Sequence, residues 1–158
     1  MQAEPEADLA SRVTALEDRE RIERLFIDYG HFLDNREWGK LSELFAPEGE
    51  VILEPLGRAA GPEAIRSLLE QGLTSERGRV FHLIANPIVS LTGNRATSDV
   101  SWVMIGRLED GRPTLAMFGR HRDELIKSGE AWKFLRREGV LEKPAAMPTA
   151  FQPASGLL

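Results

Sequence analysis

The sequence contains no cysteine. That removes disulfides, thiolate metal sites and a cysteine nucleophile together, and it gives no sign of an oxidising compartment. No run of apolar residues approaches the roughly 20 needed to span a bilayer, so no membrane helix is expected. Met1 to Leu9 carries Glu4, Glu6 and Asp8 and no basic or hydrophobic stretch; it does not read as a signal peptide, and the expected location is cytoplasmic. A lysine and arginine cluster is also missing. Twenty basic residues against 25 acidic ones leave a formal net charge of −5, and an acidic balance without a positive stripe argues against nucleic-acid binding. There is no glycine-rich phosphate loop and no Gly-x-Ser-x-Gly elbow, so nucleotide binding and α/β-hydrolase chemistry lack their marks. The three histidines show neither His-x-His nor His-x-x-x-His spacing, and no acidic pair stands at ligand spacing. No metal and no other cofactor is expected.

What is present fits one domain. A chain of 158 residues, 42% apolar and 28% charged, is long enough to bury a core and too short for two. From about Asp8 to Leu33 apolar residues recur at helical spacing, through Leu9, Val13, Leu16, Ile22, Leu25, Phe26, Tyr29 and Leu33. The charges between them, Asp18 included, read as a solvated face. A short helix is expected from Glu37 to Phe45, ended by Pro47, then a short strand from Val51 to Leu53. Gly61-Pro62 opens a third helix with proline in its first turn. After Gly78 the period changes to two. Strands are expected over Arg79–Leu91 (with Pro87 at a bulge or edge), Arg95–Leu108, Thr114–Lys127 and Ala131–Glu142, joined by turns at Gly93-Asn94, Asp110-Gly111 and Ser128-Gly129.

Helices first and a meander of long strands afterwards define an α+β domain, with the helices on one face of the sheet. In Phe81–Ala85 and Trp102–Ile105 both alternation phases are apolar, which a sheet with one wet face would not show. The second face is therefore expected to meet another copy of the chain, in a homo-oligomer. The domain is assigned to residues 1–143. Residues 144–158 have no charge and three prolines, and form an apolar tail expected to lie across a pocket mouth or a partner subunit.

Three polar residues in apolar settings are candidates for chemistry. Asp34 ends the long helix, where it faces the negative end of the helix dipole; its spacing to Glu37 equally fits a capping box for the second helix. His82 lies between Phe81 and Leu83 on a strand. It is either a satisfied core histidine or a general base, and a base needs a carboxylate to stabilise its imidazolium. Tyr29, the single tyrosine, lies on the apolar face of the first helix, either as packing or as a donor to a substrate oxygen. His31 reads as an exposed helix residue. His121 shares a strand face with Met117 and Leu125 and could reach a pocket or a neighbouring subunit.

These residues form a larger pattern. Asp18–Tyr29, Leu33-Asp34-Asn35-Arg36-Glu37-Trp38 and Leu41-x-x-Leu44-Phe45 resemble the opening of SnoaL-like proteins of the nuclear-transport-factor-2-like superfamily. So do Gly61-Pro62, His82-x-x-x-Asn86-Pro87, Gly93-Asn94-Arg95-Ala96, Gly119-Arg120-His121-x-Asp123 and the closing Trp132–Arg136, over about residues 15 to 140. The resemblance implies a cone-shaped fold, N-terminal helices on a strongly curved mixed or antiparallel sheet around a pocket. It is nearest in motif to the scytalone-dehydratase-like, bile-acid-dehydratase-like and hexachlorocyclohexane-dehydrochlorinase-like lyases, which trimerise. It implies that Asp34 and His82 pair inside the cone and that Tyr29 matches the tyrosine of the dehydratases. His121 departs from the tyrosine usual in the Gly-Arg-Tyr motif, and no clear second acid appears on the Arg95–Leu108 strand, where Asp99 is the nearest.

The expectation is a cofactor-independent, dehydratase-type lyase acting on a small, ring-containing, weakly polar molecule. Its pocket wall would be Trp38, Phe81, Ile84, Trp102, Met104 and Phe118, with His121 also contacting substrate, and its assembly a trimer in preference to a dimer. An isomerase or polyketide-type cyclase with the same base, or a non-catalytic ligand-binding or assembly subunit, are the alternatives.

Overall fold

A computed structural model describes residues 9–54, 56–73, 80–108 and 110–141. The assigned tail, 144–158, lies outside the described residues. The order is α1 (Leu9–Asn35), α2 (Trp38–Glu43), β1 (Phe45–Leu53), β2 (Gly57–Ala60), α3 (Pro62–Gly72), β3 (Val80–Thr92), β4 (Arg95–Arg107), β5 (Pro113–Ser128) and β6 (Ala131–Leu141). The six strands form one open sheet in the order β2-β1-β6-β5-β4-β3. Every described pairing is antiparallel except β1 with β6, which makes the sheet mixed.

Helix α1 buries Ile22, Leu25, Phe26, Tyr29 and Leu33 against the inner sheet face, where Val100, Leu125 and Phe134 meet them. Leu9, Val13 and Leu16 continue the same spacing but are exposed, so the core-facing stripe is confined to the second half of the helix. Arg36, in the left-handed region at φ 60°, ends α1. Its N–H donates to the Leu33 carbonyl at 3.2 Å and that of Glu37 to the Phe32 carbonyl at 2.9 Å, the paired bonds of a Schellman turn. The chain turns there without using the Asp34 side chain, and α2 starts at Trp38 with no side-chain cap.

Strand β1 begins at Phe45, earlier than the apolar pattern indicates. Pro47 and Gly49 read as breakers, but they sit where the β1–β6 register shifts between Phe45 and Glu50, and a bulge tolerates both. A second shift, between Ala85 and Ile88, accommodates Pro87 on the outermost strand β3.

Alternation along β4 and β5 separates two faces. Val100, Trp102, Met104, His121, Asp123 and Leu125 point inward and are buried. On the outer face, Phe81 (53% exposed), Leu83 (47%) and Leu115 (37%) leave apolar surface in contact with solvent. No helix of the described residues is long and apolar enough to cross a membrane.

Candidate active site

Two elements bring Asp34 and His82 together. Gly30 faces β3 one helical turn before Asp34, and a Cβ there would come within 3.1 Å of Ile84 Cγ1. Its bare backbone lets α1 approach the strand closely, and the next turn delivers the Asp34 carboxylate to His82. Because β3 is an edge strand, one side of its backbone has no neighbouring strand to pair with. The His82 N–H donates into the carboxylate, 3.0 Å from Oδ2 and 3.2 Å from Oδ1, and the His82 ring Nδ1 lies 2.6 Å from Oδ1. One residue thus holds the carboxylate through both backbone and side chain. An ionised carboxylate only accepts, so with Asp34 ionised the proton of this bond sits on Nδ1, and the neutral ring then presents its lone pair on Nε2. Asp34 is therefore engaged across the fold and does not cap α2.

His82 lines a cavity of about 240 Å³ between the inner sheet face, α1 and α3. Of the residues that sequence reasoning placed in the pocket, Tyr29, His82, Ile84, Trp102, Met104 and His121 line it. Asp34 stands behind the imidazole, outside the lining. Trp38, Phe81 and Phe118 are corrections. Strand alternation puts Phe81 and Phe118 on the outer face, with Phe81 opposite Ile105 and Phe118 opposite Val103. Trp38 packs against the core under the Arg36 guanidinium, 5.3 Å from its ring. Their places in the wall are taken by Leu33, Leu53, Leu69, Met117 and Leu141. Period-two alternation within β5 picks out Met117 with His121; Leu53 and Leu69 come from elements whose placement only the tertiary fold decides. Glu54 also lines the cavity and is exposed. Asp99 lies away from it, paired with Arg120 at 3.2 Å.

A buried charge cluster adjoins the cavity through Tyr29. Arg137, fully buried, donates through Nε to Asp123 Oδ1 at 2.8 Å and through Nη2 to Oδ2 at 2.9 Å, and Ser98 Oγ adds a bond of 2.9 Å. The guanidinium lies 4.2 Å from the Tyr29 ring centre and 4.0 Å from that of Phe134. Strict alternation from Trp132 and Phe134 would aim Arg136 inward; the bulge opposite Glu124/Leu125 shifts the phase by one and sends Arg137 in. That is why the sequence pattern did not single it out. Removing one partner of such a pair costs about 3–5 kcal/mol, because the other charge remains buried.

Burial, together with nearby charges, sets the state of the polar groups around the cavity and core. His121 stacks on Trp102 (ring centres 5.8 Å apart) and meets Tyr29 edge-on at 5.7 Å. Burial first, then the positive charge of Arg137, hold its imidazole well below the ordinary 6.5, so it is neutral. Burial raises the Tyr29 phenol above its ordinary 10.0, against the opposing charge of Arg137. Asp18, read from the sequence as solvated, is instead buried. It accepts from Trp132 Nε1 at 3.0 Å and pairs with Lys127 at 2.8 Å, tying α1 to the β5–β6 end. Burial opposes its ionisation, but the bonds from Lys127, Trp132 and Arg21 outweigh it and hold its carboxyl below the usual 3.8.

This frame, an open mixed sheet with helices on its inner face and a pocket between them, is that of the nuclear-transport-factor-2-like superfamily. The SnoaL-like domain matches residues 14–138, and the chain belongs to that family. Over 150 residues it is 25% identical to the gamma-hexachlorocyclohexane dehydrochlorinase of Sphingobium indicum, covering 93% of this chain and 90% of that one. Among solved structures it is similar to an NTF2-like protein with a cystatin-like fold from Novosphingobium aromaticivorans (TM-score 0.77, 26% identity, 95% and 96% of the two chains). A scytalone dehydratase-like protein of the same organism gives a TM-score of 0.73 at 26% identity, over 91% and 97%.

Proposed function

We propose that the protein is a cofactor-independent lyase that eliminates water or a comparable leaving group from a small, ring-containing, weakly polar substrate. The observation that carries this reading is the 2.6 Å contact between His82 Nδ1 and Asp34 Oδ1 beside an apolar cavity. His82 Nε2 takes a proton from carbon, the C–H electron pair becomes the new double bond, and the leaving group departs with its bonding pair. Asp34 holds the imidazole's orientation and faces the imidazolium that forms. Tyr29, a neutral phenol in the cavity wall, donates to the oxygen on which charge develops. A dry wall strengthens these interactions relative to water.

The name of the Sphingobium indicum relative, a dehydrochlorinase, supports elimination chemistry in general. In a non-catalytic assembly subunit Asp34 would cap α2; its contacts with His82 support the enzyme reading over that one. The same base would serve an isomerase or cyclase, and product analysis separates these from a lyase. A cavity of about 240 Å³ is below the usual range for drug-sized ligands and favours one or two rings.

The test is turnover of a panel of cyclic β-hydroxy and β-halo compounds. Asp34→Asn and His82→Ala should each lower kcat/KM by about 10²–10⁴, with the fold retained. Unchanged turnover in either variant removes the assignment.

We further propose that the exposed apolar outer face is covered by a second copy of the chain in a homo-oligomer, with a trimer favoured. The exposure of Phe81, Leu83 and Leu115 on one sheet face supports this.

A further inference from the structure

The cavity is lined by two imidazoles in opposite settings. His82 has a carboxylate 2.6 Å behind its Nδ1. The Nδ1 of His121 is buried and has no hydrogen-bond partner, so nothing stands ready to stabilise a cation on that ring. Its other edge is turned elsewhere. A Cβ on Gly139, directly across the β5–β6 pairing, would lie 3.6 Å from His121 Cδ2 and 3.8 Å from Nε2, and Gly139 and His121 both line the cavity. Leu53 Cδ2 fills the space beside Gly139, 2.6 Å from that Cβ position, and Leu53, Gly139 and His121 line the cavity together, so the ring meets the cavity at this edge.

Resting on the lyase reading above, we propose that His121 is a neutral donor that anchors an oxygen of the substrate through Nε2–H, alongside Tyr29 and opposite the His82 base. The substrate class is thereby narrowed to cyclic ketones. Proton removal beside a carbonyl moves negative charge onto oxygen, and that charge is what a fixed neutral donor meets. A purely halogenated ring has no such oxygen to present. Burial first, and then the positive charge of Arg137, keep His121 unprotonated, which supports the assignment. Stacking on Trp102 and the edge contact with Tyr29 fix the ring plane, so the donor needs no reorganisation when charge appears.

The experiment compares binding of 1-tetralone and tetralin, a bicyclic ketone and its parent hydrocarbon, by calorimetry, together with the carbonyl infrared stretch of bound tetralone. Wild type should prefer the ketone by roughly tenfold, the size of one hydrogen bond, and lower its carbonyl frequency. His121→Phe keeps the ring stack and should lose both the preference and the frequency shift; His121→Gln, which retains a side-chain N–H, should recover part of each. Asp34→Asn should keep the preference while losing turnover, so failure of the base and failure of the anchor are read separately. Equal affinity for the two probes in wild type (absence of binding included), or a preference that survives in His121→Phe, overturns the proposal.

Discussion

At the scale of single residues, the function proposed for each imidazole depends on what stands behind it. His82 has the Asp34 carboxylate, bonded to both its ring and its amide. His121 has an unpartnered Nδ1 and a nearby guanidinium. A folded-state value held below 6.5 means that the unfolded chain binds a proton which the folded protein excludes. Stability linked to His121 is thus complete above about pH 6.5 and is lost as pH falls, at up to about 1.4 kcal/mol per pH unit. Urea denaturation across this range should show a shallower acid-side loss in His121→Phe than in wild type; an identical slope would show that His121 charges freely in the folded protein. The candidate residues were legible because they are polar groups inside apolar patterns. Asp34 had two open roles, and only the fold chose between them. The buried Asp123 shares the inward phase of His121 and Leu125 but was not singled out from the sequence, and Arg137 was hidden by a bulge that no single-strand pattern reveals.

At the scale of elements, the site depends on how closely α1 lies on β3. Gly30→Val would place branched carbon where a Cβ alone already comes within 3.1 Å of Ile84. The helix should shift outward and carry Asp34 off His82, lowering kcat/KM by about tenfold or more with helix content unchanged, because small misplacements are costly in catalysis. Adding Ile84→Ala should restore part of the loss, which a double-mutant cycle would detect as coupling between the two sites. Activity unaffected by Gly30→Val would show that the approach of α1 does not position the carboxylate. The long elements were readable because 27 residues of α1 and four strands of 11 to 16 residues carry sustained periodicity. Strand β2 was not, since four residues are too few to establish a period. The start of β1 was masked by Pro47 and Gly49, whose breaker character is absorbed by a register shift.

At the scale of the whole molecule, the sheet divides two tasks. Its inner face builds the core and cavity, and its outer face presents Phe81 and Leu83 in place of the wall positions first assigned to Phe81 and Phe118. That reassignment strengthens the argument for an oligomer, since the same apolar alternation that suggested a pocket wall instead supplies unpaired surface. Sedimentation analysis should give an assembly of about three times the 17.6 kDa chain mass, and Phe81→Glu combined with Leu83→Glu should release monomers. A monomer in wild type would contradict the proposed use of this face. The frame itself leaves the reaction open, because one scaffold carries many chemistries and only the side chains in the cavity distinguish them.

The most direct test of the central claim, that His82 supported by Asp34 removes a proton from carbon, needs no natural substrate. Exchange of the protons beside the carbonyl of 1-tetralone can be followed by NMR in deuterated water. The account predicts exchange accelerated by the wild-type protein and slowed by about 10² or more in both His82→Ala and Asp34→Asn. Accelerated exchange that persists undiminished in those variants would contradict it.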